Sequence, residues 1–140
     1  MQKTLVALTL TIATAFAGSA FAADGMDKKA YKSGKDKIEE QAKADKKACG
    51  AMKANAKDVC NAEAKGKEKV AKAELDAKNK PGAKADGTLA KAKADASYDL
   101  AKEKCDDQQG SAKSACKKQA KAAHDTAKKS AKAADTSKKS

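Results

Sequence analysis

The four cysteines of this chain fall into two pairs with one spacing. Cys49 and Cys60 are eleven residues apart, Cys105 and Cys116 are also eleven apart, and the second pair follows the first at an offset of 56 residues. The same offset lays Ala56-Lys57 over Ala112-Lys113 and Ala64-Lys65 over Ala120-Lys121, so the chain reads as two copies of one unit. An unbroken helix would hold each pair about 16 Å apart by its rise. A disulfide needs Cα atoms within about 7 Å. Either the chain turns back between the cysteines of a pair, or each cysteine finds a more distant partner.

The amino terminus bears on whether disulfides form at all. Met1-Gln2-Lys3 is a short basic start, Leu5 to Phe16 is an apolar run, and Ala20-Phe21-Ala22 fits the small-x-small pattern of a secretory signal. Cleavage is expected after Ala22. The run is interrupted by Thr9, Thr11, Thr14 and Gly18-Ser19, short of the roughly 20 apolar residues that a spanning helix needs. Residues 1–22 therefore read as a signal peptide, and the mature chain as an exported, periplasmic one without a transmembrane segment. In an oxidising compartment an even number of cysteines favours disulfides over zinc or redox chemistry.

Composition makes such staples necessary. The chain is 41% nominally hydrophobic, but 35 residues are alanine. After residue 22 only ten bulky apolar side chains remain: Met26, Tyr31, Ile38, Met52, Val59, Val70, Leu75, Leu89, Tyr98 and Leu100. Each contributes at most about 1.5–3 kcal/mol on burial, against about 1–2 kcal/mol per residue for ordering backbone. What the composition does favour is helix. Alanine and lysine are strong helix formers, the chain has a single proline, and Glu precedes Lys by four residues at 39/43, 63/67, 68/72 and 74/78. The fold class expected is all-α, with little core and disordered ends.

Two arrangements satisfy the cysteines. Helical stripes place Tyr31, Ile38 and Ala42 on the side of Cys49, and Ala90, Ala94, Tyr98 and Ala101 on the side of Cys105. Ala64 and Ala71 follow Cys60, while Ala120, Ala123, Ala127, Ala131 and Ala134 follow Cys116. Gly50 with Asn55, and Gly110 with Ser111, supply a helix-ending glycine and an N-cap residue between the cysteines of each pair. This predicts tandem helical hairpins stapled Cys49 to Cys60 and Cys105 to Cys116, with Tyr98 opposite Ala123 and Ile38 opposite Ala71. Pairing Cys60 with Cys105 and Cys49 with Cys116 would instead make one long antiparallel hairpin turning at Pro81-Gly82. The stripes do not choose between them; the two helix breaks and the shorter loop closure favour the local bridges. The domain reading is a signal at 1–22, helical repeat 1 at 23–78, a linker at 79–87, helical repeat 2 at 88–134 and a disordered tail at 135–140.

Several segments resemble a group of short exported proteobacterial proteins rich in alanine and lysine, with paired-cysteine repeats, sometimes labelled cell envelope biogenesis or TolA-like. The match lies in Ala44-Asp45-Lys46-Lys47-Ala48-Cys49, Ala56-Lys57-Asp58-Val59-Cys60, Ala62-Glu63-Ala64-Lys65, Val70-Ala71-Lys72-Ala73-Glu74-Leu75 and Ala101-Lys102-Glu103-Lys104-Cys105-Asp106-Asp107. Ser114-Ala115-Cys116-Lys117 departs from it, since the group tends toward Asp-Val-Cys-Val there. TolA proteins themselves keep a membrane anchor and a folded C-terminal domain, so the resemblance implies no envelope-energy role. It implies no catalytic activity either.

The residues give no catalytic constellation. His124 stands in a lysine-rich stretch with no nucleophile or glycine-rich phosphate loop around it, and is expected on a solvated surface. Asp106 and Asp107 are adjacent, so on a helix they diverge. The cysteine spacing lacks the short arms of zinc sites. No enzyme activity, cofactor or metal is expected. Charge remains as the functional signal: 31 basic residues, all lysine, against 19 acids. After cleavage the balance is 30 lysines to 19 acids, or +11. Lysine is a point charge without arginine's bidentate fork, so it attracts anions with little discrimination. The expected partners are anionic envelope components or envelope proteins, with a spacer or stress role. A nonspecific polyanion or nucleic-acid binder is the alternative, and a thiol redox or metal-binding protein the weaker one.

Overall fold

The computed structural model describes residues 25–137; the expected signal peptide and residues 138–140 lie outside them. Four α-helices account for almost all of the described chain: α1 Lys28–Cys49, α2 Ala54–Asn79, α3 Ala83–Cys105 and α4 Gly110–Ser137. No strand occurs among the described residues. The interruption between α2 and α3 spans only Lys80 to Gly82, shorter than the expected linker at 79–87. Ala83 to Gly87 already belong to α3, because only Pro81 and Gly82, the latter at φ +150°, break the helical run. At the other end α4 runs to Ser137. Residues 135–137, expected in the tail, are therefore helical.

Packing follows the order of the sequence. Among the described residues α1 packs only on α2, α2 on α1 and α3, and α4 only on α3. The result is a single layer with α1 and α4 at its edges. Asn55, at the start of α2, donates from Nδ2 to the carbonyl of Glu103 in the last turn of α3 at 2.9 Å. Both cysteine-bearing turns consequently lie at one end of the layer.

The edge helices show why the layer stays narrow. In α1 the buried and half-buried positions are Tyr31, Gly34, Ile38, Ala42, Asp45 and Cys49, a three-and-four spacing that gives one stripe, and the remaining positions are exposed. The central helices bury residues along two sides. This gives Leu100, which does not share the cysteine stripe of α3, its place: with Val70 and Gly66 it lines the groove between α2 and α3. Close approach there depends on glycine, since a Cβ at Gly66 would sit 3.0 Å from the Cβ of Ala96.

The core is correspondingly thin. Among the described residues its buried apolar side chains are Ala42, Ala64, Ala73, Ala94 and Ala131 with Cys49 and Cys105, and only the two cysteines are fully buried. One methyl group is worth about 0.8 kcal/mol when buried. Five alanines together then contribute roughly as much as a single local disulfide, about 3 kcal/mol.

Candidate functional site

The cysteines pair locally. Cys49 and Cys60 are disulfide-bonded with Cα atoms 5.5 Å apart, Cys105 and Cys116 with Cα atoms 5.6 Å apart, and no free cysteine remains among the described residues. The crossed pairing is not the one found. With its sulfurs joined to each other, no cysteine offers a thiolate to a metal or substrate.

The turns achieve this differently from the capping expected. Gly50 ends α1 in right-handed geometry, and Asn55 is not an N-cap but lies inside α2 with its amide spent on Glu103. Ser111 is likewise inside α4. The actual reversal rests on the residue that opens each second helix. Ala54 has φ +49° and Gly110, its counterpart 56 residues on, has φ +55°. α1 has a true side-chain cap that the sequence reading missed: Asp27 accepts from the amides of Lys29 and Ala30 at 2.8 and 2.9 Å. Its signal was the aspartate immediately before the helical run.

His124 departs from its expected solvated position. Its side chain is only 13% exposed, stacked on Tyr98 with ring centroids 4.5 Å apart and planes 11° from parallel. Its Nε2 is 2.6 Å from Asp95 Oδ1. Ala123, expected opposite Tyr98, does line the same groove, but the side chain stacked on the ring is that of its neighbour His124. Asp95 also accepts from Lys91 at 2.8 Å. Lys91 first, and His124 second, hold its carboxyl below the ordinary aspartate value. Ser97 and Ser130 line the same α3–α4 groove of about 710 Å³, otherwise walled mostly by alanine. Ile38 and Ala71, expected to meet, do share the groove between α1 and α2.

The other acids act as counter-charges. Glu68 bridges α1 and α2, held by Lys46 at 2.7 Å and Lys72 at 2.8 Å; these lysines lower its carboxyl from 4.5 to about 2. Asp106 and Asp107 do not work together. Asp106 receives Lys113 and Lys117, each at 2.7 Å, which lower it from 3.8 to about 2. It ties the end of α3 to the first turns of α4. Among the described residues no group of three or more His, Cys, Asp or Glu is placed to hold a metal ion, and no helix is long and apolar enough to cross a membrane.

Charge is distributed unevenly across the layer. α1 carries eight lysines against four carboxylates and α4 seven against two, whereas α2 has six against five and α3 five against four. Cross-helix pairs such as Lys69 to Asp99 and Lys93 to Glu74, both at 3.2 Å, balance the centre. The excess therefore sits on the two edge helices. No protein-family model, no curated protein and no solved structure matches the chain.

Proposed function

We propose that this is a non-enzymatic, cationic helical protein of the periplasm, a tandem of disulfide-stapled helical hairpins that engages anionic envelope components or envelope proteins by electrostatics. The observation that carries this reading is the concentration of unbalanced lysine on α1 and α4, beside two central helices close to neutral. A single layer presents both edges to solvent. Two cationic rims separated by the width of the layer suit a spacer that touches anions on either side, and the staples keep those rims in place where burial is weak. Export carries the chain away from chromosomal DNA, which sets nucleic acid behind envelope anions as a partner.

The test is binding to heparin, lipopolysaccharide and DNA across a salt series. Counterion release predicts that log affinity falls linearly with log salt, with a slope set by the number of anionic groups contacted. Ligands of similar charge density should bind within a few-fold of one another, because lysine lacks a directional fork. Absence of binding to all three at low ionic strength would contradict the proposal. Recovery of the chain from the periplasm without residues 1–22 tests its location, and cytoplasmic recovery at full length counts against it.

A further inference from the structure

One groove carries lysines without carboxylates. Between the first half of α3 and the second half of α4 lies a space of about 370 Å³ lined by Lys84 and Lys91 from one helix and Lys128 and Lys132 from the other. Gly87, Thr88 and Ala131 complete the lining. Lys91 is shared with Asp95 at 2.8 Å, while Lys84, Lys128 and Lys132 form no ion pair among the described residues. The Thr88 hydroxyl already donates to the Lys84 carbonyl at 2.8 Å. The donors open to the groove are thus ammonium groups.

The first copy of the repeat shows that the fold does not require this arrangement. Fifty-six residues earlier, Gly87 corresponds to Tyr31, Ala131 to Leu75 and Lys132 to Asp76. There the Tyr31 hydroxyl donates to Asp76 at 2.5 Å. Leu75 packs so closely that a Cβ on Gly34 would fall 2.9 Å from its Cδ1. The space is plugged by a ring and a leucine, and it contains an acid. In the second copy all three changes act in one direction: the ring is removed, the leucine becomes a methyl group, and the carboxylate becomes an ammonium. A fourth change adds to them. Lys72, the counterpart of Lys128, is held by Glu68 and Glu39. The residue at the position of Glu68 is now His124, and the counterpart of Glu39 is Asp95, occupied by Lys91 and His124.

Three ammonium groups without an ion pair among the described residues, beside Lys91 already shared with Asp95, repel one another around a small open space, and an anion with several charges close together relieves that repulsion. A single carboxylate offsets only one of them. Phosphoryl groups offer multiple charges and unhindered oxygens, and lysine binds phosphate as a point charge. We infer that the α3–α4 lysine groove is a binding site for an anion carrying clustered phosphates, free or on a lipid headgroup. This rests on the electrostatic reading above and narrows it to one place.

The probe is inorganic tripolyphosphate, titrated into the full oxidised chain at low ionic strength and followed by amide chemical shifts. Vesicles of phosphatidylcholine with and without phosphatidic acid form the second arm. Saturable shifts centred on Gly87, Thr88, Lys91, Lys128 and Lys132 are expected with tripolyphosphate if the ligand is free, or selective capture by phosphatidic acid vesicles if it is lipid-borne. Gly87→Tyr with Lys132→Asp restores the ring and the acid of the first copy and should weaken binding roughly tenfold or more, the scale of one lost charge-assisted contact. Lys57→Gln with Lys65→Gln removes the same net charge from α2, outside the groove, and should leave binding within about twofold when the variants are compared at about 0.15 M salt, where the Debye length is about 8 Å and distant exposed charges are screened. Should the variant with Gly87→Tyr and Lys132→Asp lose its helicity, Lys84→Gln with Lys128→Gln serves in its place with the same expected loss. Equal weakening by groove and α2 variants overturns the site and leaves a diffuse cationic surface. So does binding of heparin with none to either phosphate probe. Failure of every polyanion at low salt removes the electrostatic reading itself.

Discussion

Replacing Ala54 with glycine is expected to stabilise the protein, although it deletes a methyl group and adds no contact. Ala54 opens α2 at φ +49°, where an L-residue costs about 1–2 kcal/mol because its Cβ crowds the following carbonyl. Glycine escapes that cost but gives the unfolded chain more freedom, worth about 0.4–1 kcal/mol in the opposite sense. The balance is a gain of about 0.5–1 kcal/mol. Helix propensity subtracts little at this position, since the amide of a first helical residue has no intrahelical partner to lose. The second copy provides the reciprocal experiment. Gly110 has φ +55°, and a Cβ built there would meet nothing within 4 Å, so Gly110→Ala isolates the backbone cost from any clash and should destabilise by a similar amount. Thermal melts of the oxidised proteins by far-ultraviolet circular dichroism read the difference directly. At this chain length 1 kcal/mol corresponds to about 4 °C, which separates the two variants by about 4–8 °C. Ala54→Gly melting below the parent, or Gly110→Ala melting unchanged, would refute the reasoning.

Further outcomes follow from other close contacts. Gly66→Leu should cost about 1–3 kcal/mol, because a Cβ alone would sit 3.0 Å from Ala96 and a longer side chain must push α2 from α3; hydrogen exchange should rise most along that seam, and unchanged protection would count against close packing there. Glu68 and Asp106 are lowered to about 2 in the folded chain from ordinary values of 4.5 and 3.8. Their contribution is present above those ordinary values and is lost as pH falls toward about 2. Melting temperature should therefore drop between about pH 5 and 2, with a shallower drop in Glu68→Gln; identical acid profiles would show that the Lys46 and Lys72 pairs contribute nothing.

How much of this was legible in the sequence depends on which residues carried information. Helicity was legible because alanine and lysine recur from residue 28 onward and only Pro81-Gly82 interrupts the run outside the cysteine turns. Local cysteine pairing was favoured by the two helix breaks, though its mechanism was not: reversal rests on positive φ at Ala54 and Gly110, and alanine announces no such conformation. Asn55 looked like a cap because caps are made by short polar side chains. Its amide instead reaches Glu103, a partner 48 residues away that no local pattern reveals. His124 was misplaced for a related reason. In a chain so rich in alanine the packing stripe cannot be picked out by hydrophobicity, and a histidine within it reads as surface until Tyr98 is seen stacked against it. The lysine groove was invisible for the same cause, since its four lysines are ordinary in a sequence with 31. Only the contrast with Tyr31, Leu75 and Asp76 in the first copy sets it apart.

The central claim is that two local disulfides hold together a helical layer whose buried side chains are mostly alanine. Each bridge closes a short loop and contributes about 3 kcal/mol by the loop-entropy argument, comparable with the five buried alanines together. The most direct measurement is a pair of thermal melts on the chain, oxidised and reduced, at the same ionic strength and pH. The account predicts a cooperative transition when oxidised and, after reduction, a broad low-temperature loss of helix without a clear midpoint. A reduced protein that melts as sharply and at the same temperature as the oxidised one would contradict it.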